Sequence, residues 1–149
     1  MSGDFLTLEA KPGLTILQHI ARVVLGFALA FAGISHLTFN RGEFLAQVPN
    51  WLPLDADLVV ILSGVMEIVL GLGLIFMLSK SILFGLLTGI FFILIFPGNI
   101  AQYINGIDAF GLDTDRARLI RLFFQPILVL WAIWSTGALT YLKLLKKQN

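Results

Sequence analysis

A carboxylate, two basic side chains and several amides stand inside apolar segments of this 149-residue chain. Glu67 lies near the middle of the apolar stretch 58–78. Placing a charged side chain at the centre of a membrane helix costs roughly 2.5–3.5 kcal/mol, so such a residue persists where it faces a partner or a cavity. Glu67 is therefore the first candidate functional residue, as a proton relay or as half of a buried ion pair.

Depth along the helices selects a partner for Glu67. Arg22 lies about five residues, or ~7 Å, from the middle of its own apolar segment. Its long side chain can cover much of that distance, and a bidentate bond would suit both groups. We therefore predict that Arg22 and Glu67 contact each other directly. The alternative interpretation is that such a pair only fixes the register of two helices.

A second polar layer is predicted closer to the long loops. Its donors would suit a quinone, which needs an apolar slot for its tail and a few polar groups at its carbonyl oxygens. Alternatively, these groups satisfy one another and the helix ends. The turn VPNWLP at 48–53 is either a lid over this pocket or an interfacial aromatic anchor. The predicted ligand-binding residues are His36, Trp51, Phe92, Phe96, Asn99, Arg121 and Gln125.

The composition indicates that the elements carrying these residues are membrane helices. The chain is 58% hydrophobic and 13% charged, whereas soluble domains carry roughly 25% charged residues. Four apolar segments, about 16–37, 58–78, 81–100 and 119–142, approach the ~20 residues that cross a bilayer. Backbone groups in lipid must bond within their own segment. We predict an all-α integral membrane protein with a single domain, 1–149, folded as a four-helix bundle of antiparallel up-down topology.

The distribution of basic residues predicts the orientation. Five lysines, among them Lys11 and Lys80, lie on the side of the short turn 79–81. Three arginines, Arg41, Arg116 and Arg118, lie on the side of the long loops 39–57 and 98–117. Because Lys and Arg collect on the cytoplasmic side, we expect both termini in the cytoplasm, with the protein in a bacterial inner membrane. The net charge of +1 gives no electrostatic basis for binding nucleic acid.

The residue types also bound the chemistry. The chain has no cysteine, which excludes thiol and cysteine-ligated iron–sulfur chemistry within it. Its two histidines, His19 and His36, lie ~25 Å apart along one helix and cannot hold one haem from opposite sides. We expect no metal ion and no intrinsic cofactor, and whether the chain is an enzyme stays open. An ion or proton path would rest only on Glu67 and Arg22, and four helices leave little room for a pore.

Five stretches distributed over the chain carry a resemblance to a known family. They are RVVLGFALAFAGISHL (22–37), VPNWLP (48–53), SGVMEIVLGLGLIF (63–76), FPGNIAQY (96–103) and RLIRLFFQPILVLWAIW (118–134). Together they resemble the DoxX and DoxX-like family of small four-helix membrane proteins. The resemblance assigns the family's basic residue of span one to Arg22 and the acidic residue of span two to Glu67. Some members have Lys where this chain has His36, so the chain is more similar to the DoxX-like branch.

The resemblance implies two kinds of function. The first is an accessory subunit of a membrane redox complex, as in thiosulfate:quinone oxidoreduction, that interacts with a quinone or a lipid. Such a subunit needs an electron donor elsewhere, because this chain carries no cofactor motif. The alternative is a non-catalytic assembly factor, chaperone or structural subunit. Both imply contact with the lipid bilayer and with other membrane subunits or further copies of the chain.

Overall fold

The computed structural model describes residues 13–148, so that Lys11 of the charge comparison lies outside the described residues. Within this range all regular structure is helical, and a single 3₁₀ turn, Leu78–Lys80, connects the third and fourth helices. The six helices are α1 (Ile16–Leu37), α2 (Arg41–Gln47), α3 (Ala56–Phe76), α4 (Ser81–Ile104), α5 (Asp115–Ser135) and α6 (Ala138–Gln148).

Four of these helices, α1, α3, α4 and α5, are long and apolar enough to cross a membrane. The chain is therefore an integral membrane protein, as its composition predicted. Three of the four begin at a polar residue whose side chain accepts a hydrogen bond from the first turn: Thr15, Asp55 and Thr114. Such caps satisfy backbone N–H groups that have no partner within the helix.

The third and fourth predicted spans differ most from the structure at their C-terminal ends. The third was predicted to end at residue 100 and continues to Ile104, which lengthens α4 and shortens the following loop. The fourth ends at Ser135 instead of continuing to residue 142. Gly137 adopts a φ of +80°, a left-handed conformation that terminates helices. The residues that follow form the separate helix α6.

Helices α1 and α3 pack directly against each other through glycines. Gly26 lies beside Gly71, and Gly33 lies beside Gly64, so the two helices run in opposite directions. A Cβ atom on Gly26 would lie 2.7 Å from the carbonyl oxygen of Gly71. Small residues permit this close approach of two backbones. We refer to these four glycines as the glycine seam.

Helices α4 and α5 form a second pair. Gly89 lies beside Ile133, and Asn99 is hydrogen-bonded to Gln125, so these helices also run in opposite directions. The indole of Trp131 donates to the carbonyl of Ala21 at 3.0 Å and ties α5 to α1. An apolar core joins the two pairs and is formed by Leu25, Leu29, Leu70, Leu74, Phe91, Phe92 and Ala132.

The two long loops meet at one end of the molecule. The carboxylate of Glu43 accepts a hydrogen bond from the backbone of Phe110 at 2.6 Å. The side chain of Gln47 donates to that of Gln102 at 2.7 Å. These bonds fix α2, which had not been predicted, over the same end of the helices that carries the predicted polar layer.

Arginine side chains form ion pairs with carboxylates at the ends of both long loops. Arg41 forms a bidentate pair with Asp57, at 2.8 and 2.5 Å. Arg118 contacts Asp108 at 2.7 Å and Asp115 at 2.9 Å. These charges therefore stabilise the loops that cover the helix ends.

Candidate functional site

A cavity of about 750 Å³ lies between the α1–α3 pair and the α4–α5 pair. All four long helices, α2 and both long loops contribute to its wall. Most of the lining side chains are apolar, as is usual for sites that bind small molecules. The polar ones are His36, Gln47, Ser63, Glu67, Asn99, Arg121 and Gln125.

The cavity brings together most of the residues that the sequence predicted for a pocket. His36, Trp51, Phe92, Asn99, Arg121 and Gln125 all line it, and Glu67 lines it as well. Two predicted site residues, Phe96 and Arg22, do not line it.

Phe96 falls outside the wall because of its angular position on α4. Successive residues turn by ~100° around a helix, so residues spaced by four share one face. Phe91, Ile95 and Asn99 form that face and line the cavity. Phe96 lies beyond its edge, and the prediction of Phe96 as a wall residue is wrong.

The partner of Glu67 is His36. Nε2 of the imidazole lies 3.3 Å from Oε2 of the carboxylate, and the two residues are only 7% and 5% exposed. The contact lacks hydrogen-bond geometry, so Oε2 of Glu67 has no hydrogen-bond partner among the described residues. Nδ1, the other ring nitrogen of His36, has no partner among them either. Buried polar atoms normally have one. The pair therefore leaves polar atoms in the cavity wall for a water or a ligand.

The predicted contact between Arg22 and Glu67 is wrong. Arg22 donates instead to the carbonyl of Leu74 and, at 3.4 Å, to that of Ile75. These carbonyls belong to the last turn of α3, where no partner exists within the helix. The register of the glycine seam brings Arg22 to the end of α3 and His36 beside Gly64, about one turn from Glu67.

Gln125 organises a second polar group in the wall. Its Oε1 accepts from Asn99 at 3.1 Å and from Arg121 at 3.3 Å, while its Nε2 donates to the carbonyl of Phe92 at 2.6 Å. The two amides are buried and fixed by these bonds. No described carboxylate lies within 4 Å of Arg121. Its guanidinium has five N–H donors, so several stay free for a ligand.

Two aromatic residues of the cover were missed by the sequence reasoning. The ring of Phe44, in α2, lies on the imidazole of His36. Phe110, from the other long loop, meets Phe44 edge to face with 4.6 Å between ring centroids. Phe44 lies in the short helix that was not predicted, and Phe110 lies in a loop without a helical period, so nothing in the sequence indicated that these two rings cover the site. Trp51 also lines the cavity, and it is 67% exposed, so the lid and the interfacial anchor both stay predictions for its turn.

The cavity also opens sideways, between α3 and α4. Leu62, Met66 and Leu94 line it, yet they are 58%, 47% and 70% exposed on the outer surface of the molecule. In a membrane this surface faces lipid. The arrangement can therefore admit an amphiphile from the bilayer, with its apolar part among the helices and its polar end near Arg121 and Glu67.

Comparison with known proteins places the chain in a family. Residues 25–136 match the model of a domain of unknown function, DUF8561. The chain belongs to this family. The matched range contains every residue that lines the cavity but not Arg22. No curated protein and no solved structure matches the chain. The description of DUF8561 assigns no activity, so the resemblance to DoxX-like proteins stays a prediction.

Proposed function

We propose that this protein binds a quinone, or another neutral amphiphile of the bilayer, as an accessory subunit of a membrane redox complex of the DoxX-like kind. One observation carries the proposal: a large apolar cavity opens to the lipid on one side and gathers several polar groups at its loop end. Its volume of about 750 Å³ is within the range of ~300–1,000 Å³ that is typical of small-molecule sites.

The polar groups of the cavity suit a quinone head. Arg121 and Asn99 carry N–H donors for carbonyl oxygens, and Gln125 holds both of them in place. His36 and Glu67 form a pair that can exchange protons with a bound ring. Reduction of a quinone consumes electrons and protons together. In this proposal the protons pass through this chain, and the electrons come from another subunit of the complex.

The proposal includes the arrangement in the membrane. The four long helices form an antiparallel up-down bundle, which the opposite directions within the α1–α3 and α4–α5 pairs support. The protein lies in a bacterial inner membrane, with the long loops outside and both termini in the cytoplasm. The described lysines support this orientation, because all four lie on the side of the short turn.

A second candidate function is a non-catalytic assembly or structural subunit. The observation that favours it is the bare surface of α5. Only 17% of its apolar window is buried, against 39% for each of the other three spans. Phe123, Phe124 and Leu130 are exposed on it. A neighbouring membrane helix would find its largest contact area there.

Titration with quinone analogues separates the two functions. Under the proposal, short-chain benzoquinones raise the unfolding temperature of the purified protein. Replacing Arg121 or Gln125 by Leu should weaken binding at least tenfold, the equivalent of about 1.4 kcal/mol. Arg116 is the matched control, since it is an exposed arginine five residues before Arg121 on the same helix and does not line the cavity. Arg116→Leu should leave the affinity unchanged.

Two outcomes would contradict the proposal. One is the absence of any thermal shift with quinones of several head groups and tail lengths. The other is equal affinity in the native protein and in a folded Arg121→Leu variant. Either result would favour the assembly or structural role.

A further inference from the structure

The end of the molecule at the short turn is uniformly basic in the part of the chain that the structure describes. Lys80 lies in the turn, and α6 carries Lys143, Lys146 and Lys147. The described carboxylates, apart from Glu67, occur in the long loops or at the helix ends beside them. They are Glu43, Asp55, Asp57, Asp108, Asp113 and Asp115. Within the described residues, one end of the molecule is therefore basic and the other carries an excess of carboxylates.

Helix α6 is fixed to this basic end. The turn at Gly137 separates it from α5, and its first residue, Ala138, is buried against Ile82 near the beginning of α4. Tyr141 packs on the same cluster. Helix α6 therefore packs against α4 as a separate element of the fold. It does not continue the fourth span.

The exposed surface of α6 has two chemically distinct faces. Lys143, Lys146 and Lys147 are spaced by three and four residues and therefore share one face. Leu142 and Leu145 lie on the face that begins with Ala138 and Tyr141, yet both leucines are exposed. A helix with exposed leucines on one side and lysines on the other matches those that lie in the membrane–water interface.

We propose that α6 lies on the membrane surface and that its lysines bind the phosphates of anionic phospholipids in that leaflet. Such a lipid meets both needs of the helix, because its acyl chains cover the leucines and its phosphate neutralises the lysines. Like charges one turn apart repel each other, and no described carboxylate lies within 4 Å of any of the three lysines. The proposal is independent of what the cavity binds.

The test compares lipid retention by the full-length protein. We would reconstitute it in nanodiscs of phosphatidylcholine and phosphatidylglycerol, extract it gently and count the retained lipids by native mass spectrometry. The native protein should retain phosphatidylglycerol preferentially. Each lysine near an anionic surface contributes about fivefold, so Lys143→Gln, Lys146→Gln and Lys147→Gln together should lower the preference at least ~10-fold.

Two control variants make the result specific. Replacing the same three lysines by Arg keeps the charge and should keep the preference. Arg116→Gln removes one exposed positive charge at the opposite end and should also keep it. The three lysines are exposed, so the Gln variant should retain its unfolding temperature in phosphatidylcholine.

Three results would overturn the proposal. The first is equal retention of the two lipids by the native protein, and the second is an unchanged preference in the Gln variant. The third is displacement of phosphatidylglycerol by millimolar inorganic phosphate, which would indicate a site for a free anion. If the Gln variant instead lost an acidic protein partner but no lipid, the surface would belong to that partner.

Discussion

Replacing Gly64 by Ala should force α1 away from α3. The added Cβ would lie 2.8 Å from the Cβ of His36, 3.0 Å from the carbonyl oxygen of Gly33 and 3.2 Å from a methyl carbon of Leu37. Carbon atoms in contact normally stay ~3.5–4.0 Å apart. Neither the Cβ of His36 nor the carbonyl of Gly33 can yield by a change of rotamer. The helix itself has to move, by roughly 1 Å.

The free energy of this shift can be isolated with a matched glycine. Overpacking a close contact costs ~1–3 kcal/mol, while Gly→Ala within a helix gains up to ~1 kcal/mol. Gly42, in α2, is helical, and a Cβ there would meet nothing within 4 Å. Gly42→Ala should therefore change the free energy of unfolding only by the gain in helix propensity. The two variants should differ in free energy of unfolding by ~1–3 kcal/mol, with Gly64→Ala the less stable.

The assay is reversible unfolding in mixed detergent micelles, followed by circular dichroism. Because Gly64 touches His36, its replacement should also weaken the binding of quinone analogues. Gly26→Ala lies further along the same seam, where the new Cβ would be 2.7 Å from the carbonyl oxygen of Gly71. It should lower stability with a smaller effect on binding, because it does not touch the His36–Glu67 pair.

Equal free energies of unfolding for Gly64→Ala and Gly42→Ala would refute the reasoning. That result would mean that α1 and α3 do not meet at Gly64. The register of α1 and α3 that places His36 near Glu67 would then be wrong as well, since it depends on the same contact.

Three further predictions concern charged residues and orientation. Arg22→Leu leaves the last carbonyls of α3 without their charged donor, so the free energy of unfolding should fall by about 1.5–3 kcal/mol in the same assay. Leu at His36 or at Glu67 should destabilise the protein, and the double replacement should recover part of the loss; a double-mutant cycle with additive costs would show that the pair does not interact. Reporter fusions should give a cytoplasmic signal at Lys80 and an external one at Asn105, and a cytoplasmic signal at Asn105 would reverse the orientation.

The long helices were predictable because their signal is local. An apolar stretch of about 20 residues in lipid has few alternatives to a helix. The end of α5 was not predicted, since the residues after Gly137 are still partly apolar and only its backbone conformation stops the helix. Helix α2 was missed for a different reason. It has only seven residues, and the contacts that hold it come from residues distant in sequence, such as Phe110 and Gln102.

The depth of residues in the membrane predicted which of them line the cavity, but it did not predict which of them contact each other. His36, Arg121 and Gln125 were grouped correctly because residues at one level of a membrane meet if they face inward. Pairing needs the register of two helices, and the distance from the middle of an apolar segment is too coarse a measure of it. Arg22 was assigned to Glu67 on that measure and lies instead beside Leu74.

A better signal for the register was present in the sequence. Gly26 and Gly33 are seven residues apart on α1, and Gly64 and Gly71 are seven apart on α3. Two antiparallel helices that pack through these pairs place residue 26 beside 71 and residue 33 beside 64. By the same register Arg22 lies opposite residue 75, at the end of α3. Matching glycine spacings across neighbouring spans therefore predicts register better than depth does.

The charged residues inside this protein differ in the groups that they contact. Arg41 and Arg118 have carboxylates as partners, and Arg22 has the carbonyls of a helix end. These three stabilise loops and helix termini. Arg121 has only an amide oxygen that it shares, and Oε2 of Glu67 has no hydrogen bond among the described residues. Both of the latter line the same cavity. Under the proposed function, a bound ligand would supply hydrogen-bond partners to both groups and so lower the cost of burying them.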